Sequence, residues 1–146
     1  MLDINKIRTD FDILDDRNSK KPIYFDNACM SLKPKQVIKA ITEYYTDYPA
    51  CAGRSSHHMG DMVTKKVKET RKLVEEFINA SNENEIIFTR NTTEGINLFA
   101  NSFGFSSGDV VLISDKEHNS NLIPWLVLRD KIGIVVKVLH SKEDGI

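Results

Sequence analysis

The stretch "RNTTEGINLF" at 90–99 places two hydroxyls, a carboxylate and a glycine at the opening of a helical pattern, directly after the apolar run "EIIF". Asn91 is a favoured N-cap residue, and Glu94 three positions later completes a capping-box-like pattern. The free N–H groups of a first helical turn and the positive end of the helix dipole attract an anion. Thr92 and Thr93 add hydroxyl donors, and Gly95 removes a side chain where a ligand or another backbone could come close. The residues leave two readings open, an ordinary capped helix or a seat for a phosphate group. Neither G-x-x-x-x-G-K-[ST] nor G-x-G-x-x-G occurs in the chain, which argues against a nucleotide.

Two further stretches carry chemistry-bearing side chains. In "SDKEHNSNLIPW" (114–125) an apolar run again gives way to a helix, so His118 is expected on the same rim as Thr92; a histidine alone in a loop is more often a surface residue. In "GRSSHH" (53–58) Arg54 could bind a carboxylate with its bidentate fork, or simply stand in an exposed loop. His57 and His58 are adjacent, a poor spacing for sharing one metal, and only Cys51 lies near them. No metal site is expected.

The elements that must position these residues follow from periodicity. Ile4, Ile7, Phe11 and Leu14 suggest a short amphipathic helix or arm, and "IYFD" (23–26) a short strand. Val37, Ile41, Tyr44, Tyr45 and Tyr48 stripe a helix that Pro34 opens and Pro49 ends. Met59, Val63, Val67, Thr70, Val74 and Phe77 stripe a long one whose charges form a solvated face. From residue 85 the pattern alternates: strand 86–89, helix 92–103, turn 106–109, strand 110–114, helix 119–131 ending at Gly133, strand 134–140. This order predicts an α/β fold, a mostly parallel sheet with flanking helices and right-handed crossovers. Ligands of such sheets bind beyond the carboxyl ends of the strands. Three parallel strands without a closing helix make an unfinished layer, as expected of a truncated chain or one completed by another polypeptide.

The 146 residues suffice for one core, and 40% apolar with 28% charged residues describes a soluble globular protein. A net charge of −1 without a block of one sign argues against nucleic-acid binding. No apolar run reaches membrane-span length, and "MLDINKIRTDFDILDD" has no signal-peptide core. The two cysteines, Cys29 and Cys51, make no disulfide framework and fit a reducing cytoplasm, where a free cysteine is usually a small packed hydrophobe.

The motifs "YFDNAC" (24–29), "KPKQV" (33–37), "GRSSH" (53–57), "NTTEGIN" (91–97) and "EHNSNLIPW" (117–125), with "DFDIL" (10–14) before them, occur in one order and at one set of spacings. In this the chain resembles the N-terminal part of the group II cysteine desulfurases and selenocysteine lyases, which are pyridoxal-phosphate (PLP) enzymes of fold type I in aminotransferase class V. The resemblance implies an incomplete N-terminal part of that fold. Residues 1–50 are then an arm, strand and helix contributing to the small domain and the active-site entrance, and 51–146 the first part of the PLP-binding large domain. It implies that Thr92 and Thr93 hold the PLP phosphate, that His118 stacks on the pyridine ring and takes part in proton transfer, that Asn27 and Ala28 form the substrate-side loop, and that Arg54 and His57 lie near the dimer interface and entrance.

The implied reaction turns L-cysteine into L-alanine and passes the sulfur to an enzyme cysteine as a persulfide. The implied partners are a second copy of the chain and a sulfur-acceptor protein, in sulfur metabolism such as iron–sulfur cluster assembly, with neither nucleic acid nor membrane. A different class V enzyme or a short non-catalytic chain of the same fold are the alternatives. Asn91 stands where the family has Gly, Gly53 where it has His, Ser55 where it has Gly, and Asn119 where it has a second His. The family's Schiff-base lysine, the Asp facing the pyridine nitrogen and the reactive cysteine have no counterpart here. Lys142 reads as a solvated turn lysine, and neither Cys29 nor Cys51 matches the nucleophile.

Overall fold

The computed structural model describes residues 2–14 and 23–142. They fall into two compact units, Met1–Ile86 and Ile87–Ile146.

In the first unit the arm is a short helix α1 (Ile4–Arg8), capped by the Asp3 side chain, and a 3-10 turn at Asp12–Leu14. The segment 23–26 has no regular secondary structure and joins no ladder among the described residues, with Ile23 83% and Phe25 92% exposed. The expected strand is therefore not formed there, because apolar alternation favours a strand but a strand also needs a neighbour for its N–H and C=O groups. Helix α2 (Lys35–Asp47) starts after Pro34 and stops before Tyr48, as its prolines require. Helix α3 (His58–Ile78) ends on Asn79 in the left-handed conformation (φ 55°), a role asparagine fills with little strain. Glu43 of α2 ties the two helices, accepting from the Tyr48 hydroxyl at 3.2 Å and pairing with Lys66 of α3 at 3.2 Å.

In the second unit, helix α4 (Thr92–Ser102), strand β1 (Val110–Ser114), helix α5 (Ile123–Ile132) and strand β2 (Val135–Leu139) alternate. β1 and β2 pair in parallel, with Val110 opposite Val135 and Ser114 opposite Leu139. Ala100, Ile113, Trp125, Leu128 and Ile134 form the core, and Phe99 and Phe105 meet Trp125 edge-on at centroid distances of 6.3 and 5.9 Å. Gly133 closes α5 with φ 79°, a conformation that favours glycine, and a Cβ there would also push the Ser107 hydroxyl aside at 2.9 Å.

Three expectations need correction. The segment 86–89 joins no ladder among the described residues, so their sheet has two strands instead of three. The helix expected from 119 begins as a 3-10 turn, Asn119–Asn121, in which the His118 side chain accepts the Ser120 N–H, and becomes α-helical at Ile123. Both cysteines are exposed instead of packed, since their segments are surface turns.

Candidate active site

The first turn of α4 is built by reciprocal capping. Asn91 Oδ1 accepts the Glu94 N–H at 2.9 Å, and Glu94 Oε2 turns back to accept the Arg90 N–H at 2.6 Å. Asn91 sits at φ −164°, ψ 172°, extended backbone open to any residue, so its replacement of the family glycine brings no strain. Among the described residues no side chain or carbonyl engages the hydroxyls of Thr92 or Thr93, and both threonines are exposed. A Cβ on Gly95 would lie 3.6 Å from Thr89 Oγ1, an ordinary contact, so the room at Gly95 is not taken up by this chain.

His118 lies four residues past the carboxyl end of β1. Its Nδ1 accepts the Ser120 N–H at 3.1 Å and lies 2.8 Å from Ser120 Oγ. A backbone N–H can only donate, so Nδ1 is the acceptor and the ring proton sits on Nε2. The imidazole is otherwise exposed, and α4 packs against the turn that follows it.

Beneath His118 runs a set of bonds that motif reading passed over. Glu117 Oε1 accepts the Ser114 N–H at 3.2 Å and the Ser114 hydroxyl at 2.8 Å, and its Oε2 accepts Asn121 Nδ2 at 2.8 Å. Asn121 Oδ1 in turn accepts the indole N–H of Trp125 at 3.1 Å. The Asn121 amide, then Ser114, hold the Glu117 carboxyl below its ordinary range against the opposing effect of burial. The signal was available: Glu117, Asn121 and Trp125 recur every four residues and so share one face. Next to this, Asp115 accepts the Ser141 N–H and hydroxyl at 3.1 and 3.0 Å and faces His140 at 3.4 Å, latching the ends of β1 and β2.

The remaining candidates belong to the first unit. Asn27 and Ala28 are exposed in a turn closed by Cys29 and Met30 N–H bonds to the Asp26 carbonyl, and Tyr24 donates across it to the Met30 carbonyl. Asn27 also lines a shallow groove with Phe11, Tyr24 and Leu32. Arg54 is exposed and pairs with no carboxylate of the described residues. His57 caps α3 through Nδ1, which accepts the Gly60 N–H at 3.4 Å. Gly60 was not anticipated: a Cβ there would collide with the Ser55 carbonyl and Cβ, so the loop carrying Arg54 can fold onto α3 only at a glycine. Lys142 is exposed beyond β2. No group of three metal-ligating side chains forms among the described residues, and none of their helices is long and apolar enough to cross a membrane.

The aminotransferase class-V family profile matches residues 23–146. A relative from Borreliella burgdorferi, named a "probable cysteine desulfurase", is 43% identical over 96% of this chain and 34% of its own length. The apo structure of a cysteine desulfurase from Thermococcus onnurineus superposes with a TM-score of 0.85 at 37% identity, covering 99% of this chain and 35% of that one. The Escherichia coli cysteine desulfurase CsdA, in its S-sulfonic acid form, superposes with a TM-score of 0.76 at 29% identity, covering 98% of this chain and 36% of that one. The chain spans about a third of the length of the curated relatives it matches. On the extent of the profile match, the chain belongs to the aminotransferase class-V family.

Proposed function

We propose that the chain is the N-terminal part of a PLP-dependent cysteine desulfurase and that the first turn of α4 holds the cofactor phosphate. The carrying observation is the pair of unengaged hydroxyls of Thr92 and Thr93 at a helix N-terminus whose carboxylate, Glu94, is turned away onto the Arg90 N–H. That donor set suits a phosphate: hydroxyls and backbone N–H groups converge with the positive end of the dipole, and the nearby negative charge is already engaged. Motifs in register and relatives named cysteine desulfurase over most of this chain support the same reading.

In this reading Thr92 and Thr93 would hold the phosphate, and His118 would stack on the pyridine ring and take part in proton transfer. Bound there, PLP supplies the electron sink that lets the substrate lose its α-proton and its sulfur. Asn27 and Ala28 border the substrate, and Arg54 and His57 stand at the entrance. Residues 1–50 contribute the arm and entrance, and 51–146 begin the cofactor domain. The covalent chemistry lies with a lysine and a cysteine outside this chain, so the chain by itself is inactive. The complete enzyme is a cytoplasmic homodimer that passes sulfur to an acceptor protein, as in iron–sulfur cluster assembly. The exposed apolar side chains Ile87, Phe88, Leu112 and Leu139 support burial against further polypeptide.

Release of alanine and sulfide from cysteine by the full-length protein tests the activity. Equal rates with and without added PLP, after removal of bound cofactor, would exclude it. For the chain alone, borohydride treatment with PLP is expected to leave no lysine modified at a single site.

A further inference from the structure

We propose that Glu117 is the positioning residue of His118: its carboxylate ties the end of β1 to the turn before α5 and thereby fixes the direction and tautomer of the imidazole. The proposal rests on the reading of His118 as the residue that faces the cofactor ring. The bonds that hold the ring itself come from Ser120, two residues away in the same loop. They take Nδ1 as an acceptor but travel with the loop, so by themselves they hold neither the direction of the ring nor its tautomer. Glu117 holds the loop, because its three donors come from both sides of His118. Ser114 belongs to β1, whose neighbour Ile113 is 5% exposed, and Asn121 leads through its own amide oxygen to Trp125, which is 7% exposed in the core. All the groups meeting this carboxylate are donors, which an ionised carboxylate satisfies and an amide cannot.

The relay also predicts its own repair. In Glu117→Gln the introduced amide nitrogen opposes the Asn121 amide nitrogen, donor against donor. With Asn121→Asp added, the amide oxygen introduced at position 117 can still accept from Ser114, and its nitrogen donates to the new carboxylate at position 121. The other oxygen of that carboxylate accepts from Trp125. Every bond returns with the same net charge.

The test uses the full-length protein, loaded with PLP and labelled with ¹⁵N-histidine, with the His118 signal assigned from His118→Ala. The wild type is expected to show an unprotonated Nδ1 and a protonated Nε2. Glu117→Gln is expected to average the two nitrogen shifts and to move the visible absorption of the cofactor, and Glu117→Gln with Asn121→Asp to restore both. Unchanged shifts and absorption in Glu117→Gln, or no recovery in the double variant, overturn the proposal. If Glu117→Gln yields no folded protein, Asn121→Ala replaces it with the same two expectations and the same overturning result. His118→Ala keeps the two ideas apart. A wild-type spectrum in that variant sinks the ring-facing reading, while the nitrogen shifts still decide whether Glu117 fixes the imidazole.

Discussion

Asn91 and Glu94 cap one helix from opposite directions: the amide oxygen of Asn91 takes the Glu94 N–H at 2.9 Å while the Glu94 carboxylate takes the Arg90 N–H at 2.6 Å. The consequence lies between them. With both side chains committed to the backbone, the Thr92 and Thr93 hydroxyls are the polar side-chain groups of this turn left for a ligand.

Replacing Thr92 and Thr93 by valine in the full-length protein should therefore weaken PLP binding while leaving the helix in place. A hydrogen bond to a charged group contributes about 1.5–3 kcal/mol, so each hydroxyl accounts for about tenfold or more in affinity. Dialysis followed by absorbance of the retained cofactor measures it. Retention equal to wild type would remove the threonines from the phosphate site.

Asn91→Gly, which restores the family residue, should cost only about a few tenths of a kcal/mol, whereas Asn91→Ala should cost about 1 kcal/mol. The backbone at 91 is extended, so strain plays no part; both variants lose the Asn91 cap, and glycine is the better N-cap residue of the two. Urea denaturation of the three proteins reads the order directly, and Ala as stable as Asn would contradict it.

Gly60→Ala should destabilise by about 1–3 kcal/mol, because the new methyl must displace the Ser55 backbone or the helix. Gly53→Ala is the contrasting case, with nothing near its Cβ but a φ of 70° to hold, and should cost about 1 kcal/mol. Midpoints of thermal unfolding for the two variants test this, with the larger fall expected at residue 60.

Acid should loosen the rim that carries His118. Asn121 and Ser114 hold the Glu117 carboxyl below its ordinary range. Burial pushes Asp115 up, but the Ser141 N–H and hydroxyl and the facing His140 outweigh it and leave that carboxyl lowered as well. A lowered carboxyl binds fewer protons folded than unfolded, so its contribution is complete above the ordinary carboxylate range of about 4 and is lost as pH falls through the lowered values. Trp125, the sole tryptophan, reports on this through its bond to Asn121. Its fluorescence should change below about pH 4, and Glu117→Gln should remove part of that acid change. An identical acid profile in the variant would show that Glu117 does not drive it.

Much of this was legible in the residues themselves. Pro34 and Pro49 bracket α2, Asn91 and Glu94 announce the start of α4, Gly133 ends α5, and the apolar runs at 110–114 and 134–140 became the paired strands. Each of these signals acts within one turn or one strand, so the sequence carries it whole. Glu117, Asn121 and Trp125 were legible too, by their spacing of four, but a motif read for its histidine hides them.

By itself, then, the sequence determined where helices begin and end, which runs are extended, the family of the chain and the candidate role of Thr92, Thr93 and His118. Tertiary structure alone decided that 23–26 and 86–89 join no ladder among the described residues, that the loop at Ser55 comes down on Gly60, and that Asp115 at the end of β1 meets Ser141 beyond β2. The physical reason is reach. Caps and periodicity are settled between residues one turn apart, whereas a ladder partner, a close backbone approach and the Asp115–Ser141 latch depend on where the chain arrives in space.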